Sequence, residues 1–229
     1  MADSVVELKV VPSASELREF KEAKEEGDRV QDEFILHSMD AGWTVLDFTA
    51  ESKRFRDKRG APIAVNNDGD IKLPDYGISK QPYYPATTLP SLYCEIKGKT
   101  PYTHKDGQRY YYYDDWRWDY FKEFCHQTGN AGLLVFKYGV RVKKENSDDE
   151  YWDYSGIDLD RIYCASLEHL EKNIAGVRKG HKARNGKQSW CVLFPFEAFI
   201  PLKDFLYGEI ISPIRHPLML KQNNEWVGV

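Results

Sequence analysis

Cysteine is scarce in this sequence. Its four residues (Cys94, Cys125, Cys164 and Cys191) are widely scattered. None lies in a CxxC or another close metal-ligand spacing, which argues against a zinc ribbon and against a disulfide scaffold. Three sit within apolar stretches, so free, mostly buried thiols in a reducing cytoplasm are expected. No apolar run approaches the length of a membrane span, so no membrane partner is expected. The N-terminal MADSVVELKVV lacks a basic region followed by an apolar core and a small-residue cleavage site, so nothing points to secretion. The six histidines (His37, His104, His126, His169, His181 and His216) have no metal-ligand spacing, which leaves a zinc centre or a histidine-based hydrolase without support. GxSxG, P-loop and dinucleotide fingerprints are absent. So are internal repeats, heptads and low-complexity tracts.

What is present is an ordinary globular composition. Apolar residues make up 41% of the 229, too many for disorder, and the length suits one main domain. The formal net charge of -4 excludes an indiscriminate polyanion binder, so any nucleic-acid contact must come from local basic patches. Two exist: one includes Lys53, Arg54 and Arg56, and the other Arg178, Lys179, Lys182, Arg184 and Lys187. Each reads as a loop, either solvated or available to phosphate.

The pattern of elements is mixed. Ser13-Ala-Ser-Glu16 after Pro12 reads as a capping box that starts a helix to about Glu26. Val30, Phe34, Ile35 and Met39 mark a second helix ending before Gly42. Trp43 to Phe48 predicts a strand. Asn66-Asn-Asp-Gly69 predicts the turn of a hairpin leading towards Asp75, and the prolines between Ser79 and Pro90 predict a long irregular loop. Ser91 to Lys97 predicts a strand, Tyr110 to Gln127 a helix, and Leu133 to Tyr138 a buried strand. The acidic stretch Glu145 to Asp160 reads as an exposed excursion. Further strands are expected at Ile162 to Ala165 and Cys191 to Phe194, with a helix near Leu167 to Ile174. The C-terminal segment is ambiguous. The expected class is α/β, a mixed central β-sheet flanked by helices.

One constellation carries chemistry. Glu95 and Lys97 are two apart on a predicted strand, so the period of two places both on one face while Ile96 takes the other. Desolvating such a pair costs more than its attraction readily returns, which invites a functional reading. Asp75 adds a second carboxylate on the neighbouring segment, and two hard oxygen donors suit Mg2+ or Mn2+. The bland alternative has Asp75 capping a turn and Glu95 and Lys97 lining a solvated strand face.

Pro74-Asp75 followed by Glu95-Ile-Lys97, within this order of helix, hairpin, strand, helix and strand, resembles the PD-(D/E)xK nuclease superfamily, the fold of many restriction endonucleases and Holliday-junction resolvases. The resemblance covers roughly residues 28 to 140. It implies a restriction-endonuclease-like core at about 28–142 within a nuclease-like domain spanning 28–229, with residues 1–27 as a helical extension. It further implies hydrolysis of DNA phosphodiester bonds, with Asp75 and Glu95 holding Mg2+ or Mn2+ and Lys97 positioning the attacking water. RNA is the alternative polymer, a homodimer is compatible, and the location is cytoplasmic or nucleoid-associated. Such nucleases often add an acidic residue from the preceding helix. Glu33 is the choice among Gln31, Asp32 and Glu33, although helical spacing sets Gln31 nearer the apolar face. Tyr110 to Tyr113, with Trp116 and Trp118, are rings that either pack the core or stack on bases. A protein that keeps this fold for binding alone is the competing function.

Overall fold

The computed structural model describes residues 28–47, 63–66, 69–72, 74–79, 92–143, 150–154, 159–182, 188–208, 210–211 and 219–228. The helix expected from Ser13 to Glu26, the extension 1–27, the basic segment with Lys53, Arg54 and Arg56, the loop from 80 to 90, and Arg184 and Lys187 lie outside them.

In chain order the described strands are β1 (Thr44–Asp47), β2 (Ile63–Asn66), β3 (Gly69–Lys72), β4 (Tyr76–Ser79), β5 (Leu92–Gly98), β6 (Tyr102–Thr103), β7 (Arg109–Asp114), β8 (Gly132–Lys137) and β9 (Val140–Lys143). They continue with β10 (Glu150–Asp153), β11 (Ile162–Ser166), β12 (Gly176–Lys182), β13 (Gln188–Pro195), β14 (Ile200–Pro201), β15 (Ile210–Ile211), β16 (Met219–Gln222) and β17 (Glu225–Gly228). The helices are α1 (28–40), α2 (Asp115–Thr128), α3 (Leu167–Lys172) and α4 (Leu202–Tyr207). Among the described residues no helix is long and apolar enough to cross a membrane.

A mixed six-stranded sheet runs β1-β4-β5-β8-β11-β14. Its β5/β8 pair is parallel and the others antiparallel. Strand β8 is buried along its whole length, as a central strand covered on both faces must be, and its sequence is correspondingly apolar up to Lys137. Side-chain alternation sorts the core into two layers. Leu92, Cys94, Ile96, Leu133 and Val135 point to one face, where they meet Val30 and Phe34 of α1 and Leu202, Phe205 and Leu206 of α4. Leu134 and Phe136 point to the other, against Trp118, Phe121 and Phe124 of α2, Leu167 and Leu170 of α3, and Tyr111 and Tyr113. Helices thus flank the sheet on both sides.

A second antiparallel sheet, β12-β13-β7-β6, supplies Tyr111, Tyr113, Val192 and Phe194 to the second layer. Its strand β7 corrects the expected helix from Tyr110: the helix begins only at Asp115. Tyr111 and Tyr113 are buried while Tyr110 and Tyr112 are half-buried, the alternation of a strand. Four adjacent aromatic residues obscure that period because both faces look apolar. Helix α2 ends where expected, with Gly129 in the left-handed conformation at φ 67° that glycine adopts without steric penalty.

Two more expectations shift. The hairpin is β2/β3, closed with Asn66 opposite Gly69, but it forms its own two-stranded sheet. The neighbour of β5 is instead β4, a strand that lies between the hairpin and the loop expected from Ser79 to Pro90. The second basic segment is not wholly a loop either, since Arg178, Lys179 and Lys182 belong to β12, paired with β13. Within the acidic excursion, β10 pairs with β9.

Candidate active site

The ladder between β4 and β5 runs to Tyr76 opposite Cys94, so the next position sets Asp75 opposite Glu95. Tyr76 and Ile78 belong to the α1 layer, and by alternation Asp75 faces the other side with Glu95 and Lys97. Beyond the ladder's last pair, the Ile96 amide donates to Asp75 Oδ2 at 2.9 Å. That bond gives a side-chain acceptor to a strand amide and fixes the carboxylate.

Lys97 joins the two acids. Its Nζ lies 3.1 Å from Asp75 Oδ2 and 2.9 Å from Glu95 Oε1. Glu95 is buried, and its Oε1 also accepts a hydrogen bond of 2.7 Å from the Tyr113 hydroxyl. Strand β5 of one sheet and strand β7 of the other therefore meet at this carboxylate. Burial pulls the Lys97 ammonium towards neutrality, but the Asp75 and Glu95 charges outweigh it and raise its pKa. The two carboxylates thus favour the charged form of Lys97. Burial and the adjacent Glu95 charge hold the Tyr113 phenol well above its ordinary value, so it remains a donor.

Asp75, Glu95 and Lys97 are thus brought together, whereas Glu33 is not part of the cluster. Glu33 is buried rather than surface-exposed, and it is ion-paired with the fully buried Lys137. Lys137 follows Leu133 and Val135 on the α1 face and lies opposite Gly98, one residue beyond Lys97 and across the sheet from it. Gln31 accepts a hydrogen bond from the Tyr76 hydroxyl at 3.2 Å on that same face, and Asp32 is exposed. The sheet separates α1 from the cluster, which is why the helical acid does not join it.

The donor set bears on a metal. Asp75 and Glu95 offer hard oxygens from adjacent strands and suit Mg2+ or Mn2+ as two of its ligands, with water and phosphate oxygens for the rest. Among the described residues no three His, Cys, Asp or Glu side chains converge as a ligand group. The sequence does not single out Tyr113, because a run of four tyrosines reads as part of a helix while Tyr113 lies in β7. The period-two signal that would have found it is carried only by what each ring packs against.

Of the basic residues, Arg178 stacks its guanidinium on Tyr102 at 4.6 Å from the ring centroid, and Lys179 Nζ stands 5.8 Å from that of Trp190. Both lie on β12 in the second sheet.

No protein-family model matches the chain, and no curated protein matches it. Among solved structures, the chain is similar to Hjc, a Holliday junction resolvase from Archaeoglobus fulgidus, with 12% identity over 79% of this chain and 99% of that one, at a TM-score of 0.39.

Proposed function

We propose that the protein is a divalent-metal-dependent nuclease acting on DNA, with the site at Asp75, Glu95 and Lys97 in a nuclease-like domain from residue 28 onward. The observation that carries the reading is the Lys97 ammonium held at 3.1 Å from Asp75 and 2.9 Å from Glu95 on one face of adjacent strands. Two acids and a cation at a half-buried site are costly to keep for stability alone.

Each residue has a part. Asp75 and Glu95 would hold Mg2+ or Mn2+, which when bound supplies Lewis acidity towards phosphate and a more acidic water. Asp75 is fixed by the Ile96 amide, and Glu95 by the Tyr113 hydroxyl, so neither carboxylate has to be reorganised during reaction. Lys97, protonated throughout, orients the attacking water as a hydrogen-bond donor and offsets the charge that develops on the phosphoryl oxygens. Arg178 and Lys179 would contact phosphates and position the polymer.

A second reading has its own support. Asp75 Oδ2 and Glu95 Oε1 each already accept two hydrogen bonds within the protein, the pattern of a satisfied structural cluster in a nucleic-acid-binding protein without cleavage.

Incubation of the full chain with linear, nicked, branched and single-stranded DNA plus Mg2+ or Mn2+ separates the two. The nuclease reading expects products that chelator abolishes. Binding with no cleavage of any DNA or RNA would establish the second.

A further inference from the structure

A cleft of about 310 Å³ opens where β5 ends and the outer face of the second sheet begins, three residues beyond Lys97. Its wall includes Tyr102, Tyr112, Tyr154, Arg178, Gly180 and Cys191, none of which belongs to the carboxylate cluster. The size is at the lower end for a small organic ligand, roughly 300–1,000 Å³, and excludes a duplex.

The cleft is built rather than incidental. A Cβ on Gly139 would stand 2.9 Å from the Tyr154 ring, and one on Gly98 would stand 3.3 Å from it, so two glycines seat that ring. A Cβ on Gly180 would fall 2.8 Å from Cys191 Sγ, so glycine there lets the thiol sit against the strand. Arg178 faces the ring of Tyr102, and Lys99 Nζ lies 4.1 Å from the centroid of Tyr112 while donating to the Tyr112 carbonyl at 3.0 Å. Neither cation forms an ion pair with a carboxylate among the described residues.

Rings without cations would suit an apolar ligand, and cations without rings a bare phosphate. Both together suit a ligand with a π-face and an anion. We propose that this cleft takes one unpaired nucleotide of a nucleic-acid strand, its base against the tyrosines and its phosphate towards Arg178. This deepens the nucleic-acid reading above, on which it rests, by naming unpaired strand as the feature recognised next to the cluster. Tyrosine faces accept any base, so the subsite is selective for single strand and indifferent to sequence.

The test is equilibrium binding by the full chain, in chelator so that oligomers stay intact, of pentathymidylate, a fully abasic oligomer of equal length and charge, and thymidine 5′-monophosphate. Pentathymidylate is expected to bind about tenfold tighter than the abasic strand. Tyr102→Ala should bring that ratio close to one, and Tyr102→Phe should keep it, which separates loss of a ring from loss of fold. Equal binding of the thymidylate and abasic strands by the wild type overturns the proposal. A monophosphate that binds as tightly as the pentamer makes a free nucleotide the ligand and overturns the claim of a strand. Base preference without cleavage would sink only the nuclease reading, and cleavage without base preference only the cleft.

Discussion

The Tyr113 hydroxyl donates to Glu95 Oε1 at 2.7 Å, so a strand of the second sheet fixes an acid of the first. This contact links the aromatic layer to the candidate site. It also makes Tyr113 a positioning residue, acting through Glu95.

Tyr113→Phe should therefore lower both stability and activity. Removing a donor to a buried carboxylate costs about 1.5–3 kcal/mol, read from the denaturant midpoint. Cleavage should fall roughly tenfold, an effect of about 1.4 kcal/mol on the barrier, because Glu95 gains freedom without losing its charge. Unchanged cleavage with lowered stability would leave Tyr113 structural only.

The Glu33 and Lys137 pair makes a prediction of the opposite kind. Both are buried, and they are bonded across the α1 face of the sheet. Glu33→Gln alone should destabilise by about 3–5 kcal/mol because it strands the Lys137 charge, while Glu33→Gln with Lys137→Met should recover most of that loss. If Glu33 is structural, the double variant retains cleavage. A folded double variant without activity would return Glu33 to the catalytic set.

These outcomes bear on what a sequence can convey. The sharing of a face by Glu95 and Lys97 was legible, because strand alternation is local and Ile96 between them is apolar. That Asp75 comes beside them was legible only as an order of elements, and the strand that delivers it, β4, was hidden next to a proline-rich stretch. The pairing of Glu33 was not legible: the buried strand expected from Leu133 to Tyr138 includes Lys137, but α1 meets β8 only through the tertiary fold, so nothing local links the two residues. The basic residues of β12 look like a loop because Gly180 interrupts them and their strand is half-exposed, where packing selects weakly for apolar side chains.

Neutralising Arg178, Lys179 and Lys182 together should weaken DNA binding and flatten its salt dependence. Every phosphate that the protein ceases to neutralise removes about 0.9 from the slope of log K against log salt, so a decrease of about 2–3 is expected if all three side chains engage the polymer. Because β12 pairs with β13 through its backbone on both sides of an irregularity between Lys179 and Lys182, the melting midpoint should change little. An unchanged slope would place the polymer elsewhere.

The decisive variant is Lys97→Met. Its ammonium lies between Asp75 and Glu95, so the substitution leaves two adjacent carboxylates without the cation that separates their charges. Cleavage should be abolished, while binding of DNA, carried by the basic strand, should survive. Destabilisation of about 3 kcal/mol is expected for an ion pair of this kind, and the thermal midpoint must be followed beside activity. The pH dependence has a definite sign. The folded pKa of Lys97 is raised, so its contribution to stability is complete below the ordinary lysine value and is lost as pH rises through the folded value. The wild type should therefore lose stability more steeply than Lys97→Met in that alkaline window. Mn2+ should raise the midpoint of Lys97→Met more than that of the wild type, because a divalent cation takes over the charge that the lysine supplied. A folded Lys97→Met protein that cleaves DNA at the wild-type rate would defeat the mechanism, and one whose midpoint ignores Mn2+ would remove Asp75 and Glu95 as metal ligands.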